Sequence, residues 1–290
     1  LAPLDPGRVP SPDPPATVGA ATRRSPVRER GSVTDTTSPV QPPETLERVV
    51  IRFAGDSGDG MQLVGDRFTD VSAAFGNDLA TLPNYPAEIR APAGTIAGVS
   101  SFQVHIAGRD IVTPGDAPNL LVAMNPAALK ANIGDLMPGG AIIANTDAFE
   151  PRNLEKAGYL GNPLEDGSLA SYRLYAIPMT SLTVEAAKDT GAKPRDAERS
   201  KNFFALGLIA WMYTRPLDSI LAWIDDRFGK NKMVHDANLA AFKAGYHFGE
   251  TAEIFEHAYT VPAAKLEPGR YRNITGNIAT AYGLIAAAQQ

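Results

Sequence analysis

The sequence contains no cysteine in 290 residues, so the chain carries no disulfide, no thiolate metal site and no Cys-ligated iron–sulfur cluster. A reducing, cytoplasmic setting is the expectation that fits. Positive charge is not in excess either. The 27 Lys and Arg face 32 Asp and Glu, giving a net charge of −5, which argues against nucleic acid or anionic membrane as the main partner. No apolar run reaches the roughly 20 residues of a membrane span; the longest strongly apolar stretch is Phe203–Tyr213. Arg23-Arg24 precedes Ser-Pro-Val-Arg-Glu-Arg, not an apolar segment, so it does not read as an export signal. The chain has no Met before Met61, and the Ala-rich helical pattern of Ile278–Gln290 has no stop signal. Both ends therefore read as cut from a longer protein.

What is present is an ordered α/β pattern behind a Pro-rich leader. Residues 1–45 hold ten prolines and no aromatic residue, too little apolar surface to offset the entropy of ordering, and disorder is expected there. Arg48–Ala54 is rich in β-branched residues and ends in glycines, which predicts a buried strand. Helix 61–75 follows, with Met61, Val64, Phe68, Val71 and Phe75 on one stripe and Gly76 as its stop. Ser101–Ile106 alternates and predicts a half-exposed strand. Strand 119–124, helix 127–136 and strand 141–145 form a βαβ unit, and Tyr172–Ile177 predicts a further strand. Helices are expected over 181–190, 200–214, 217–228 and 231–258. The fold class is α/β, with three α/β/α layers and a mostly parallel sheet.

Chemistry concentrates in two loops. Gly55-Asp56-Ser57-Gly58-Asp59-Gly60 lies between a strand and a helix, where glycines admit a ligand and the helix start offers free N–H groups. Its G-x-x-G-x-G spacing is not the dinucleotide fingerprint, and it lacks the P-loop Lys. Two aspartates there would repel a phosphate, so a tight turn with a cap and a cofactor contact both remain open. Gly-Asp-Ser-Gly also resembles a serine nucleophile motif. None of His105, His235, His247 and His257 has the Asp three positions before it that a GDSL-like esterase requires. The spacing of His247, Glu250, Glu253 and His257 suits metal ligands, but a solvated helix face explains it with fewer assumptions, and no metal site is assigned. In the second loop, 82–94, prolines 83, 86 and 92 stiffen a segment carrying Asn84, Tyr85, Glu88 and Arg90. Such a loop suits recognition of substrate or partner, or an internal Glu–Arg brace.

The glycine loop together with Tyr85-Pro86-Ala87-Glu88-Ile89-Arg90 resembles the gamma-type domain of 2-oxoacid:ferredoxin oxidoreductases. Asn202–Gly207, Asn238–Gly245 and Tyr246 are similar to that domain's later helices, and Ile274–Ala288 resembles the opening of the family's pyrimidine-binding thiamine domain. The resemblance implies a gamma-type domain over 46–259, a linker over 260–273 and a truncated start of the thiamine-binding domain over 274–290. That is the arrangement of alpha subunits of the 2-oxoglutarate type. It implies the conversion of a 2-oxoacid and coenzyme A to acyl-CoA and carbon dioxide with reduction of ferredoxin. Thiamine diphosphate with Mg2+ and an iron–sulfur cluster would reside in the complex, largely on a beta subunit. Gly55, Asp56, Ser57, Gly58 and Gly60 are then candidates for contact with coenzyme A or a neighbouring domain. Tyr85, Glu88 and Arg90 are candidates for lining the active-site entrance, Arg90 through its bidentate fork. No catalytic residue is assigned, and the chain is expected to be inactive alone. A stand-alone nucleotide- or CoA-binding module is the alternative, followed by the hydrolase. A further expectation is an exposed apolar face from Phe203–Tyr213 or the last helix.

Overall fold

The computed structural model describes residues 42–88, 91–267, 269, 271 and 274–289. Leader residues 1–41 and the predicted site residue Arg90 lie outside these. The remainder is built on a six-stranded sheet of β2 (Arg48–Asp56), β3 (Asp78–Asn84), β4 (Val99–Ala107), β5 (Leu120–Ala123), β6 (Ala141–Asn145) and β7 (Arg173–Ile177). Their order is β3-β4-β2-β5-β6-β7. Strands β2, β5, β6 and β7 are parallel, and β4 and β3 add an antiparallel edge. A separate two-residue parallel ladder joins β1 (Glu44–Thr45) to β8 (Tyr259–Thr260). It takes in two residues assigned by sequence to the leader and one assigned to the linker.

Helices cover both faces, which makes the three layers. Val49, Ile51 and Phe53 of β2 join one core with Met61, Val64, Phe68 and Val71 of α1 (Met61–Phe75) and most of α6 (Lys201–Met212). Leu121 and Ala123 of β5 join the other core with Ala127, Ala128 and Leu129 of α2 (Pro126–Asn132) and Leu154 of α3 (Pro151–Lys156). The helical stripe read for 61–75 matches α1 end to end, and Gly76 takes the left-handed conformation expected of a stop (φ 100°). Around α6 pack α4 (Met179–Ala186), α7 (Asp218–Phe228) and α8 (Lys232–Thr251), with the short α5 (Pro194–Ala197) leading in. The α6–α8 crossing is close because of two glycines. A Cβ on Gly207 would lie 2.0 Å from the Phe242 carbonyl oxygen, and one on Gly245 would lie 2.0 Å from that of Phe204.

Several expectations change. Strand β4 is buried along its whole length, not half-exposed. Its polar residues are covered by loop 110–118: the Gln103 side-chain amide donates to the Pro114 and Gly115 carbonyls (2.8 and 2.6 Å). A ring nitrogen of His105 pairs with the Thr113 carbonyl at 2.8 Å. Strand β3 was not anticipated; Pro83 sits in it without conflict because β3 is an edge. Helix α8 stops at Thr251, so Glu253 and His257 leave the face they would share with His247. His247 bonds Glu250 at 3.2 Å, while His257 bonds Glu44 at 2.6 Å. Phe203–Tyr213 is not an exposed face, since Phe203, Phe204, Leu206, Leu208 and Ile209 are buried. The last helix, α9 (Gly276–Ala288), has no buried residue and exposes Ile278, Tyr282, Leu284 and Ile285.

Candidate functional site

From β2 the chain runs through α1 toward β3 and β4 on one side; from β5 it runs through α2 toward β6 on the other. A crevice opens where the two directions part, at the carboxyl ends of β2 and β5, and ligands of open α/β sheets bind in such crevices. The glycine loop occupies this position. Gly60 caps α1 in the left-handed conformation (φ 73°), against Asn202 at the start of α6. A Cβ there would meet the Asn202 side-chain nitrogen at 2.3 Å, so the final glycine is required by the backbone and by its neighbour alike. Gly58 faces open space. At the end of β5, Asn125 caps α2 by accepting the Ala128 N–H at 2.8 Å, with Pro126 as first helical residue.

Both loop aspartates have partners, one bond lying within the loop and the others reaching beyond it. Asp59 accepts the Asp56 N–H through Oδ2 (2.9 Å) and the Lys201 ammonium through Oδ1 (2.8 Å). Both side chains of that ion pair are largely buried, so the pair is worth more than a surface contact. Both carboxylate oxygens of Asp56 accept the Gly94 N–H, at 3.1 and 3.0 Å. Burial raises the Asp56 carboxyl above its usual range, against the lowering effect of that N–H. These bonds tie the glycine loop to the second predicted loop. Asn84, at the end of β3, is held there too, its carbonyl accepting the Gln62 side-chain amide at 3.1 Å. Both loops thus meet at one end of the strands, the carboxyl end of β2.

Their predicted site residues do not all converge. Ser57 and Gly58 are exposed on the loop. Tyr85 is 68% exposed, and Glu88 is exposed as well. The brace read between Glu88 and Arg90 falls outside the described residues at its Arg90 end. Two clefts flank the Asp59–Lys201 pair. One, of about 200 Å³, is lined by Asp56, Gly94, Asn125, Asn153, Lys156 and Lys201 among others. The second, of about 430 Å³, is lined by Gly58, by the cations Arg195, Arg199 and Lys201, and by Asp59, Asp196 and Glu198. Sequence reasoning missed these cations and Asn125. Only Asn125-Pro126, a cap followed by an N1 proline, carried a local signal. The histidines are engaged elsewhere: His105 with Thr113, His235 with Asp225 and Asp236, His247 with Glu250, and His257 with Glu44. Ser57 therefore has no histidine base in this loop, and the hydrolase reading loses its chemistry.

Comparison with known proteins supplies the relationship. The family described as pyruvate ferredoxin/flavodoxin oxidoreductase matches residues 50–248. The 2-oxoglutarate oxidoreductase subunit KorA of Mycobacterium tuberculosis is 58% identical over 246 residues, covering 85% of this chain and 38% of the relative. The ketoisovalerate oxidoreductase subunit VorA of Methanothermobacter marburgensis is 28% identical over 211 residues, covering 71% of this chain and 37% of that one. This chain thus spans well under half the length of these relatives. A solved 2-oxoglutarate:ferredoxin oxidoreductase from Magnetococcus marinus, with 2-oxoglutarate, coenzyme A and succinyl-CoA bound, superposes with a TM-score of 0.57. At 23% identity, covering 76% of this chain and 34% of that one, it shows the shared fold. With its mostly parallel sheet, its glycine loop at the crevice and the match over 50–248, the chain belongs to the pyruvate ferredoxin/flavodoxin oxidoreductase family.

Proposed function

We propose that this chain is the gamma-type part of a 2-oxoacid:ferredoxin oxidoreductase subunit, in a complex that converts 2-oxoglutarate and coenzyme A to succinyl-CoA and carbon dioxide. The observation that carries this reading is the 58% identity to a 2-oxoglutarate oxidoreductase subunit across 85% of the chain. The cofactors divide by fit. No group of three or more His, Asp or Glu side chains suited to a metal occurs among the described residues, and the chain has no Cys. Thiamine diphosphate with its Mg2+, and the iron–sulfur cluster, are assigned to other parts of the complex, the cluster to a beta subunit. For coenzyme A, the supporting feature is the cleft beside Gly58, where Arg195, Arg199 and Lys201 would meet phosphate oxygens alongside Asp59, Asp196 and Glu198. Asp59 and Lys201 are paired to each other, so Arg195 and Arg199 are the cations on which this reading chiefly rests. Tyr85, Glu88 and Arg90 are retained as residues of the entrance, on a segment anchored at both ends beside the glycine loop. Ferredoxin is the electron acceptor in this reading.

The test uses the full subunit co-expressed with its beta-type partner. Arg199→Ala should raise KM for coenzyme A severalfold and leave KM for 2-oxoglutarate unchanged. Equal effects on both constants, or none on either, would remove the coenzyme A assignment. Tight coenzyme A binding with no association to a partner would favour the free-standing binding module.

A further inference from the structure

A second cavity lies at the opposite end of the sheet from the glycine loop. Arg48 and Asp56 bound β2, and at about 3.3 Å per residue its two ends are about 26 Å apart. The cavity, of about 170 Å³, sits at the amino end of β2 and β7, beside the β1/β8 ladder that joins the two ends of the domain. A cavity of roughly 150 Å³ holds a benzene-sized molecule, so the space exceeds what one water needs.

Its polar lining is rich in donors. Arg48 and Arg173, both exposed, line the cavity, and neither forms a salt bridge among the described residues. Arg173 donates to the Tyr259 hydroxyl at 3.3 Å, which leaves that hydroxyl its own proton to give. Tyr213 is 4% exposed, lines the cavity, and its hydroxyl has no hydrogen-bond partner among the described residues. Its ring is fixed between Phe68 (6.2 Å) and Tyr259 (5.8 Å), so it is positioned before any ligand arrives. Tyr175 adds a third hydroxyl. The one acidic residue in the lining, Glu44, is bonded to His257 at 2.6 Å. The Tyr213 hydroxyl oxygen is not among the fully enclosed polar atoms that lack a partner, so it reaches open space and can bond an occupant of the cavity. Phenol and guanidinium donors with the only carboxylate already paired match an oxyanion.

We propose that this cavity is a binding site for a small oxyanion, a carboxylate or an inorganic phosphate, held by Arg173 and the Tyr213 hydroxyl. The site is separate from the glycine loop and does not depend on the function proposed above. Calorimetric titration of the full protein with sodium phosphate, and separately with succinate, tests it. One or both should bind at millimolar concentration or tighter, and which one binds identifies the source of the oxyanion. Arg173→Gln should weaken that binding by roughly tenfold or more, as loss of a charge-assisted bond does. Tyr213→Phe, which removes one hydroxyl and keeps the packed ring, should weaken it severalfold without lowering the melting temperature of the ligand-free protein. Lys232→Met, at an exposed cation that lines neither this cavity nor the glycine-loop clefts, should leave it unchanged. Absence of binding by both anions, or binding that survives both Arg173→Gln and Tyr213→Phe, overturns the proposal.

Discussion

Among the three glycines of the 55–60 loop, the structure assigns different burdens, and Gly60→Ala measures the difference. An added methyl at Gly60 meets two costs. The backbone is left-handed at φ 73°, which costs a non-glycine residue about 1–2 kcal/mol. The methyl also lies 2.3 Å from the Asn202 side-chain nitrogen, so Asn202 must turn away and give up the bond its oxygen accepts from the Phe203 N–H (3.0 Å). Losing that bond in a buried setting adds about 1 kcal/mol. The sum is about 2–3 kcal/mol, or a fall in melting temperature of roughly 4–12 °C at 2–4 °C per kcal/mol for a domain of this size. Placed on an Asn202→Ala background, the same substitution should cost only the backbone part, so a double-mutant cycle should return a coupling of about 1 kcal/mol. Gly58→Ala, with nothing within 4 Å of the new methyl, is the control and should shift the midpoint little. Urea denaturation of the four proteins of the cycle, and of Gly58→Ala beside them, reads the costs and the coupling. Equal effects of Gly60→Ala and Gly58→Ala, or a coupling near zero, would refute the assignment of Gly60 to this contact.

Lys201→Met leaves the largely buried Asp59 carboxylate without its cation and should cost about 1–3 kcal/mol, much of it recovered by adding Asp59→Asn; denaturation midpoints check both. Burial raises the Asp56 carboxyl, so folding favours its neutral form. Any stability from that preference is complete below the ordinary carboxyl value of 3.8 and is lost as pH rises through the raised native value. Asp56→Asn, permanently neutral and still able to accept the Gly94 N–H, should therefore melt no lower than wild type at pH 7. Its margin should close as the pH falls below 3.8. Gly207→Ala brings a methyl to 2.0 Å from a backbone oxygen that cannot rotate away and should separate α6 from α8, costing about 1–3 kcal/mol; Gly134→Ala, in open space, should cost far less.

The elements legible in the sequence were those whose pattern is local. Helix α1 was readable from five apolar residues at helical spacing and a terminal glycine, and β5 from an almost unbroken apolar run. Strand β4 was misjudged because Gln103 and His105 look solvent-facing until the loop that accepts their hydrogen bonds is in place. Strand β3 was hidden by Pro83, a residue that only an edge position tolerates. The glycine loop stood out because a strand, a glycine cluster and a helix follow one another directly. Its partners did not: Gly94, Asn125, Lys156 and Lys201 reach the crevice from separate connections, and no sequence period links them to Asp56 or Asp59. Of the two candidates for an exposed apolar face, the last helix is exposed, whereas 203–213 is covered by α8, which its apolar run alone does not reveal. The signal was there in Gly207 and Gly245, whose missing side chains let the two helices touch.

The most direct test of the proposed function is the 2-oxoacid profile of the full subunit in complex with its beta-type partner. Coenzyme A-dependent reduction of ferredoxin would be followed with 2-oxoglutarate, pyruvate and 2-oxoisovalerate in turn. Turnover that strongly prefers 2-oxoglutarate and yields succinyl-CoA would agree with the relationship shown by the 58% identical subunit. Preference for pyruvate or 2-oxoisovalerate, or no turnover with any 2-oxoacid by an assembled and cofactor-loaded complex, would contradict it.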